Sequence, residues 1–193
     1  MNRIRLGVIS ALIACGPLLA ACSSPEPALY TIAPAQGTPR SGAPSVIVLQ
    51  TVSLARYLDR SQIVRSSDDT RLQVQPNDWW GEPLGAMLGR VLADELSQRL
   101  PQSSVITESG AVSAKPGAVV ELDVRRLDPD ARGMLILQAQ ANVNFKDKRP
   151  SALHNFNITV PLAGATTADQ VKATGVAVGQ LADGIAMMLT TAR

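Results

Sequence analysis

The sequence predicts an α+β domain in which two helices pack on one face of a mainly antiparallel sheet. Two segments, residues 83–100 and 168–189, have apolar residues at helical spacing. Between them, three consecutive segments alternate apolar and polar residues, which is typical of strands with one buried face. The order of strands, helix, strands and helix favours two layers, since each amphipathic element must bury its apolar face against another element.

The chain begins with the features of a secretory signal peptide. Arg3 and Arg5 precede a short apolar stretch over residues 6–14, and the small-residue sequence Leu19-Ala20-Ala21-Cys22 follows. The apolar stretch is shorter than the roughly 20 residues of a membrane-spanning helix. We therefore expect a signal peptide over residues 1–21, with an uncleaved membrane anchor as the alternative.

The Leu-Ala-Ala-Cys sequence resembles the lipobox of bacterial lipoproteins, in which the cysteine thiol receives a diacylglycerol. Several long acyl chains on Cys22 would hold the protein on a membrane permanently, because each buried CH₂ group contributes about 0.8 kcal/mol. Ser23 follows the cysteine and resembles the sorting signal of outer-membrane lipoproteins. We expect a periplasm-facing lipid anchor in the outer membrane.

Residues 22–44 are predicted to form a tether between this anchor and the domain. Residues 23–44 contain five prolines together with glycine and serine, a composition typical of extended linkers. Tyr30-Thr31-Ile32 is the exception and is compatible with a short strand. The folded domain is then expected over residues 45–193.

The predicted elements follow from local patterns along the domain. The first helix has its leucines and Val91 on one face, while Arg90, Asp94, Gln98 and Arg99 occupy the other faces. Three alternating strands joined by short turns predict an antiparallel meander. The predicted elements are a strand at 46–49, a hairpin at 62–65 and 71–74, a helix at 83–100, a strand at 105–107, strands at 120–124, 135–145 and 156–160, and a helix at 168–189.

The composition of the mature chain argues against nucleic-acid binding and against cysteine chemistry. Loss of Arg3 and Arg5 lowers the Lys+Arg count from 18 to 16, which equals the Asp+Glu count, so no basic excess remains. Of the two cysteines, Cys15 leaves with the signal peptide and Cys22 is acylated. We expect no disulfide, no metal and no cofactor.

Catalytic motifs are not recognisable in the sequence. The single histidine, His154, shares the parity of Phe156 and Ile158 and is expected to be a satisfied side chain at a strand end. Asp68-Asp69 is the most conspicuous acidic pair, and it falls in the predicted hairpin turn. We predict that the protein is not an enzyme, although hydrolysis by carboxylates alone stays open as a third functional class.

Two motifs resemble a known family. Tyr57-Leu58-Asp59-Arg60-Ser61-Gln62-Ile63-Val64, followed after a hairpin by Trp80-Gly81-Glu82-Pro83-Leu84, resembles the PqiC-like family of ABC-type transport auxiliary lipoproteins. Gly81 replaces the usual alanine, and Trp79 adds a second tryptophan. The resemblance implies a fold similar to the N-terminal domain of TolB.

The same resemblance implies a lipoprotein that works with MCE-domain proteins, which form tunnels for lipids between the two membranes and maintain envelope integrity. The alternative is a structural lipoprotein that binds another envelope component, such as peptidoglycan or an assembly machine. The lipid cargo stays open, as does whether the chain forms a homo-oligomer.

We predict a partner-binding surface at the two ends of the hairpin. Antiparallel pairing brings the residues before and after a hairpin together, and tryptophan and arginine are frequent in binding hot spots. We expect one of the two tryptophans to belong to the core, and the alternative for Asp59 and Arg60 is that they only organise their loop. The predicted surface consists of Tyr57, Leu58, Asp59, Arg60, Trp79 and Trp80.

Overall fold

A computed structural model describes residues 26–68 and 70–191. The predicted signal peptide over residues 1–21 and the predicted lipidation site Cys22 lie outside the described residues. The elements in chain order are β1 (Ala28–Tyr30), β2 (Val46–Leu49), β3 (Ser53–Leu54), β4 (Gln62–Asp68), β5 (Arg71–Trp80), α1 (Leu84–Arg99), β6 (Ser104–Thr107), β7 (Ala118–Pro129), β8 (Met134–Phe145), β9 (Ala152–Pro161) and α2 (Thr167–Thr191).

The main sheet has the strand order β6-β2-β7-β8-β9, and β3 pairs with β7 beside β2. The predicted meander is confirmed, because β7, β8 and β9 pair antiparallel over ten or more residues. The pairs of β2 with β6 and with β7 are parallel, which the sequence did not predict. Their parallel direction follows from the long connections, since α1 carries the chain back between β2 and β6.

Both helices cover the same face of this sheet, as predicted for an α+β fold. Alternate residues of β7 and β8 point into the core, with Val120 and Ala141 fully buried. The opposite face is polar, and there Asn142 and Asn144 donate to the Glu121 carboxylate. α2 has the length and composition of a membrane-spanning helix, but 61% of that stretch is buried inside the domain, so its apolarity belongs to the core.

A second sheet has the order β1-β5-β4. Its β4–β5 hairpin was predicted, although both strands are longer than expected and β5 extends to Trp80. β1 adds to the edge of β5 in parallel, with Leu29 opposite Trp79 and Tyr30 opposite Trp80. The short strand suggested by Tyr30 therefore exists and begins two residues earlier.

Residues 31–44, here called the strap, lie on the domain rather than apart from it. Ile32 is 1% exposed, the Ala35 amide donates to Glu95 Oε1 at 2.7 Å, and the Arg40 amide donates to the Arg99 carbonyl at 2.6 Å. Over residues 31–44 the structure thus differs from the expected free tether. A proline-rich segment is extended whether it is free or bound to a surface. Here residues of α1 provide hydrogen-bond partners for its backbone.

Arg99 is the second departure from the sequence expectation. The helical pattern placed it on a polar face of α1, but its side chain is 1% exposed beneath the strap. Its guanidinium donates to Asp183 Oδ1 at 2.6 Å and to the Gly179 carbonyl at 3.0 Å. The polar face that the sequence indicates is therefore partly covered, by a segment about 60 residues away in the chain.

Candidate partner-binding site

Tyr57 holds the 55–61 loop to the end of β7. Its hydroxyl donates to Asp128 Oδ1 at 2.6 Å, and burial raises the pKa of the phenol well above its usual range. Asp128 is 1% exposed and also accepts from Ser66 Oγ at 2.6 Å and from Arg126 Nε at 3.3 Å. The Tyr57 hydroxyl is therefore hydrogen-bonded within the domain and fixes the position of the loop.

Leu58 anchors the same loop in the core, while the two residues that follow it face solvent. Leu58 is 4% exposed and belongs to the main hydrophobic cluster. Backbone bonds from Leu58 N to Ala55 O and from Arg60 N to Leu58 O close the turn. Asp59 and Arg60 are exposed at its tip. The loop thus presents a charged pair on a fixed backbone.

The two tryptophans have different environments, which confirms the prediction that one of them belongs to the core. Trp80 is 7% exposed, and its amide donates to the Ser61 carbonyl at 2.7 Å. Trp79 is partly exposed, and its indole Nε1 donates to the Pro76 carbonyl at 2.9 Å. Because its polar atom is satisfied internally, Trp79 offers solvent a mainly apolar ring.

The structure brings the two ends of the hairpin together, as the antiparallel pairing predicted. Asp59, Arg60 and Ser61 line a small cavity together with residues 80–84. Trp79 lies next to Leu29 in the register of the second sheet. Of the six predicted residues, Leu58 and Trp80 are core side chains, and Asp59 and Arg60 are exposed. Tyr57 and Trp79 are partly exposed, and Tyr57 positions the loop through its hydroxyl.

A larger groove of about 720 Å³ adjoins this loop and was not predicted. It runs along α1, between the residues that follow β2 and the residues that follow β6, and Asp59 lies on its rim. The α1 side is formed by small residues, Gly85, Ala86, Gly89 and Ala93. The spacing of Gly85, Gly89 and Ala93 was the signal in the sequence, since three small residues on one helix face leave room for a neighbour.

The acidic and imidazole groups singled out in the sequence are not brought together. His154 is exposed and contacts the Phe156 ring edge-on at a centroid distance of 4.7 Å. Asp68 accepts from Thr70 in the hairpin turn, and these hydrogen bonds lower the pKa of its carboxyl, while Asp69 lies outside the described residues. Within residues 26–68 and 70–191, no group of three His, Cys, Asp or Glu side chains could hold a metal ion.

The comparisons with known proteins agree with this architecture. A family model described as "ABC-type transport auxiliary lipoprotein component" matches residues 28–186. No curated protein matches the chain.

Two crystal structures are similar in fold. One, of an uncharacterized protein, has a TM-score of 0.70 at 17% identity and covers 83% of this chain and 97% of its own. The other, of protein XCC0632 from Xanthomonas campestris in the family DUF330, has a TM-score of 0.68 at 19% identity and covers 83% of this chain and 94% of its own. At these identities the likeness concerns the fold alone.

Proposed function

We propose that this chain is a noncatalytic subunit of an MCE-type system for lipid transport between membranes. The chain belongs to the family of ABC-type transport auxiliary lipoprotein components. Membership of this family indicates a transport-associated lipoprotein of the cell envelope. The proposal adds a lipid anchor on Cys22 in the outer membrane and docking of the domain onto an MCE-domain tunnel protein.

The observation that carries the docking proposal is the exposed pair Asp59 and Arg60. Both line the small cavity at the end of the hairpin, and Asp59 also lies on the rim of the α1 groove. Their loop is fixed from below, by the Tyr57 hydrogen bond to Asp128 and by the buried Leu58 side chain. A fixed loop loses little conformational entropy when it binds, so more of the contact energy remains as affinity. Arginine is also among the residues that contribute most at protein interfaces.

The docking proposal is tested by replacing Arg60. We expect Arg60→Ala to reduce capture of the MCE-domain protein from crosslinked envelopes about tenfold, since truncating a hot-spot residue costs more than about 1 kcal/mol. The melting temperature should stay within a degree or two, because Arg60 is exposed.

Arg125→Ala is the matched control. Arg125 is an exposed arginine that pairs with Asp123 on β7, two residues away in the chain. Equal capture by both variants would place the interface elsewhere, and capture of peptidoglycan in place of the MCE-domain protein would favour a structural lipoprotein.

The anchor proposal is tested at the mature N-terminus. We expect mass spectrometry to find an acylated Cys22 as the first residue, and Cys22→Ala to abolish both acylation and normal processing. Membrane fractionation should place the protein in the outer membrane, and Ser23→Asp should shift it toward the inner membrane. An unmodified Cys22, or a mature chain that starts elsewhere, would contradict the proposal.

A further inference from the structure

The stretch of sequence between Cys22 and β1 is short. β1 begins at Ala28 and is fixed to β5, and the Gly81 amide donates to the Tyr30 carbonyl at 2.8 Å. Residues 23–27 are the five residues that remain between Cys22 and β1. The six Cα–Cα steps from Cys22 to Ala28 span at most about 22 Å, at about 3.6 Å per step. The anchor therefore holds the first residue of β1 close to the membrane.

The strap cannot lengthen this connection without loss of buried contacts. Ala35 is bonded on both sides, because its amide donates to Glu95 Oε1 at 2.7 Å and its carbonyl accepts from Arg99 Nη1 at 3.2 Å. Gly37 lies directly against the Arg99 guanidinium, so close that a Cβ atom there would be 2.2 Å from Arg99 Cζ. Release of the strap would expose an arginine that is otherwise 1% exposed.

An apolar surface lies where the chain joins the domain. Leu29 is 67% exposed, and its register partner Trp79 is partly exposed. Register partners project to the same side of a sheet, so Leu29 and Trp79 lie side by side, while Tyr30 and the buried Trp80 project to the other side. We call this pair the Leu29–Trp79 patch. Tryptophan is enriched at membrane–water interfaces, where its ring is partly buried among lipid head groups.

The size of the domain makes the short connection restrictive. A domain of this length has a radius of gyration of about 15 Å, and hence a diameter of about 40 Å. A connection of at most about 22 Å is little more than half of that diameter. The domain can therefore tilt on its anchor, but the end that carries the patch stays next to the bilayer.

We infer that the Leu29–Trp79 patch lies against the lipid surface to which Cys22 is attached. This inference rests on the lipid anchor of the proposed function, but not on the MCE-domain partner. It fixes the orientation of the molecule, with the second sheet at the membrane.

A fluorescent probe at position 29 tests the inference in the full-length lipoprotein. After Cys22 the sequence contains no further cysteine, so Leu29→Cys creates a unique thiol that can carry an environment-sensitive nitrobenzoxadiazole group. Leu153→Cys is the matched control, because Leu153 on β9 is 64% exposed and Leu29 is 67% exposed. Both labelled proteins are reconstituted in phosphatidylcholine vesicles that contain spin-labelled phosphatidylcholine.

We expect both proteins to float with the vesicles. The probe at position 29 should shift its emission to shorter wavelength and be quenched by the spin-labelled lipid several-fold more strongly than the probe at position 153. Flotation with equal quenching at the two positions would overturn the orientation and leave the lipid anchor intact. A failure to float would overturn the anchor and the inference together. Shielding of position 29 in native envelopes, but not in pure lipid vesicles, would identify a protein as the occupant and overturn the inference.

Discussion

Two buried carboxylates attach outlying segments to this domain, and they differ in how completely they are bonded. Asp128, under the 55–61 loop, accepts from Tyr57 through Oδ1 and from Ser66 and Arg126 through Oδ2. Glu95, under the strap, is 0% exposed and accepts from the Ala35 amide through Oε1. Its Oε2 atom has no hydrogen-bond partner within the described residues.

The incomplete hydrogen bonding of Glu95 should make the attachment of the strap sensitive to pH. A carboxylate that is bonded at both oxygens recovers most of the free energy lost when it leaves water. One that is bonded at a single oxygen does not, and burial raises the pKa of Glu95 although the Ala35 amide and Arg99 act in the opposite direction. We therefore expect the strap to be held less tightly as pH rises.

The largest effect is expected from removal of Arg99. Arg99→Met leaves the carbonyls of Ala35 and Gly179 without their donor, and it leaves the Glu95 carboxylate without a nearby positive charge. Removal of one partner from a buried charge cluster costs about 3 to 5 kcal/mol. Urea denaturation should show this loss, and hydrogen exchange at the Ala35 and Arg40 amides should become faster than in the rest of the domain.

Arg125→Met is the control for Arg99→Met. Arg125 pairs with Asp123 at the surface, with 54% of its side chain exposed, so its loss should cost no more than about 1 kcal/mol. If the two variants lose similar stability, the buried cluster does not hold the strap.

A smaller effect is expected at the fully bonded carboxylate. Asp128→Asn keeps an oxygen for the Tyr57 hydroxyl but places an NH₂ group where Ser66 and Arg126 now donate. The loss of hydrogen bonds to a charged acceptor should lower the free energy of unfolding by about 1.5 to 3 kcal/mol. Asp123→Asn on the same strand is the control, since the Asp123 side chain is 45% exposed. A stability loss of the same size in both variants would show that burial of Asp128 is unimportant.

The stability of the protein should depend on pH through Glu95. The pKa of Glu95 in the folded state lies above its ordinary value of 4.5, so the folded protein keeps a proton that the unfolded chain has already lost. The contribution of Glu95 to the free energy of unfolding therefore falls as pH rises above about 4.5. Glu95→Gln has no such proton, so the difference in unfolding free energy between wild type and variant should shift in favour of the variant between pH 5 and pH 8.

Measurement of both proteins across that range cancels the contributions of Asp130, Asp147 and Asp169, whose lowered pKa values affect wild type and variant alike. A difference that is constant with pH would contradict the raised pKa of Glu95.

The meander and the strap show which parts of this fold can be predicted from sequence. The alternation of Leu135 to Phe145 is a local signal, because each residue's face follows from its immediate neighbours. The strap has no local signal of this kind, since a free tether and an extended segment on a surface share the same composition. Its partners Glu95 and Arg99 look like ordinary polar positions of a helix, and only the fold brings them beneath Ala35.

The same distinction applies to the candidate site. The hairpin pairing predicted that the 55–61 loop and the tryptophans would meet, and the bond from the Trp80 amide to the Ser61 carbonyl joins them. The sequence left open which tryptophan is buried, because both end a strand whose middle is irregular around Pro76. The parallel addition of β1 was not predicted, and it gives Trp79 its exposed neighbour Leu29.

The smallest effect is expected at Gly81, where the two attached regions meet. Trp80, just before it, donates to Ser61 of the loop, and the Gly81 amide donates to Tyr30 in the strand that precedes the strap. A Cβ atom on Gly81 would meet the Tyr30 carbonyl oxygen at 3.4 Å, the near edge of ordinary contact, and Gly81 is not among the glycines with positive φ.

Alanine at this position, the residue usual in the resembling family, should therefore fit and should reduce the conformational freedom of the unfolded chain. We expect Gly81→Ala to raise the free energy of unfolding by about 0.4 to 1 kcal/mol, measured by urea denaturation beside Arg99→Met and Asp128→Asn. A loss of stability would mean that the contact between β1 and the start of α1 is too tight for a methyl group, and that the strap is fixed at its beginning as well as over Arg99.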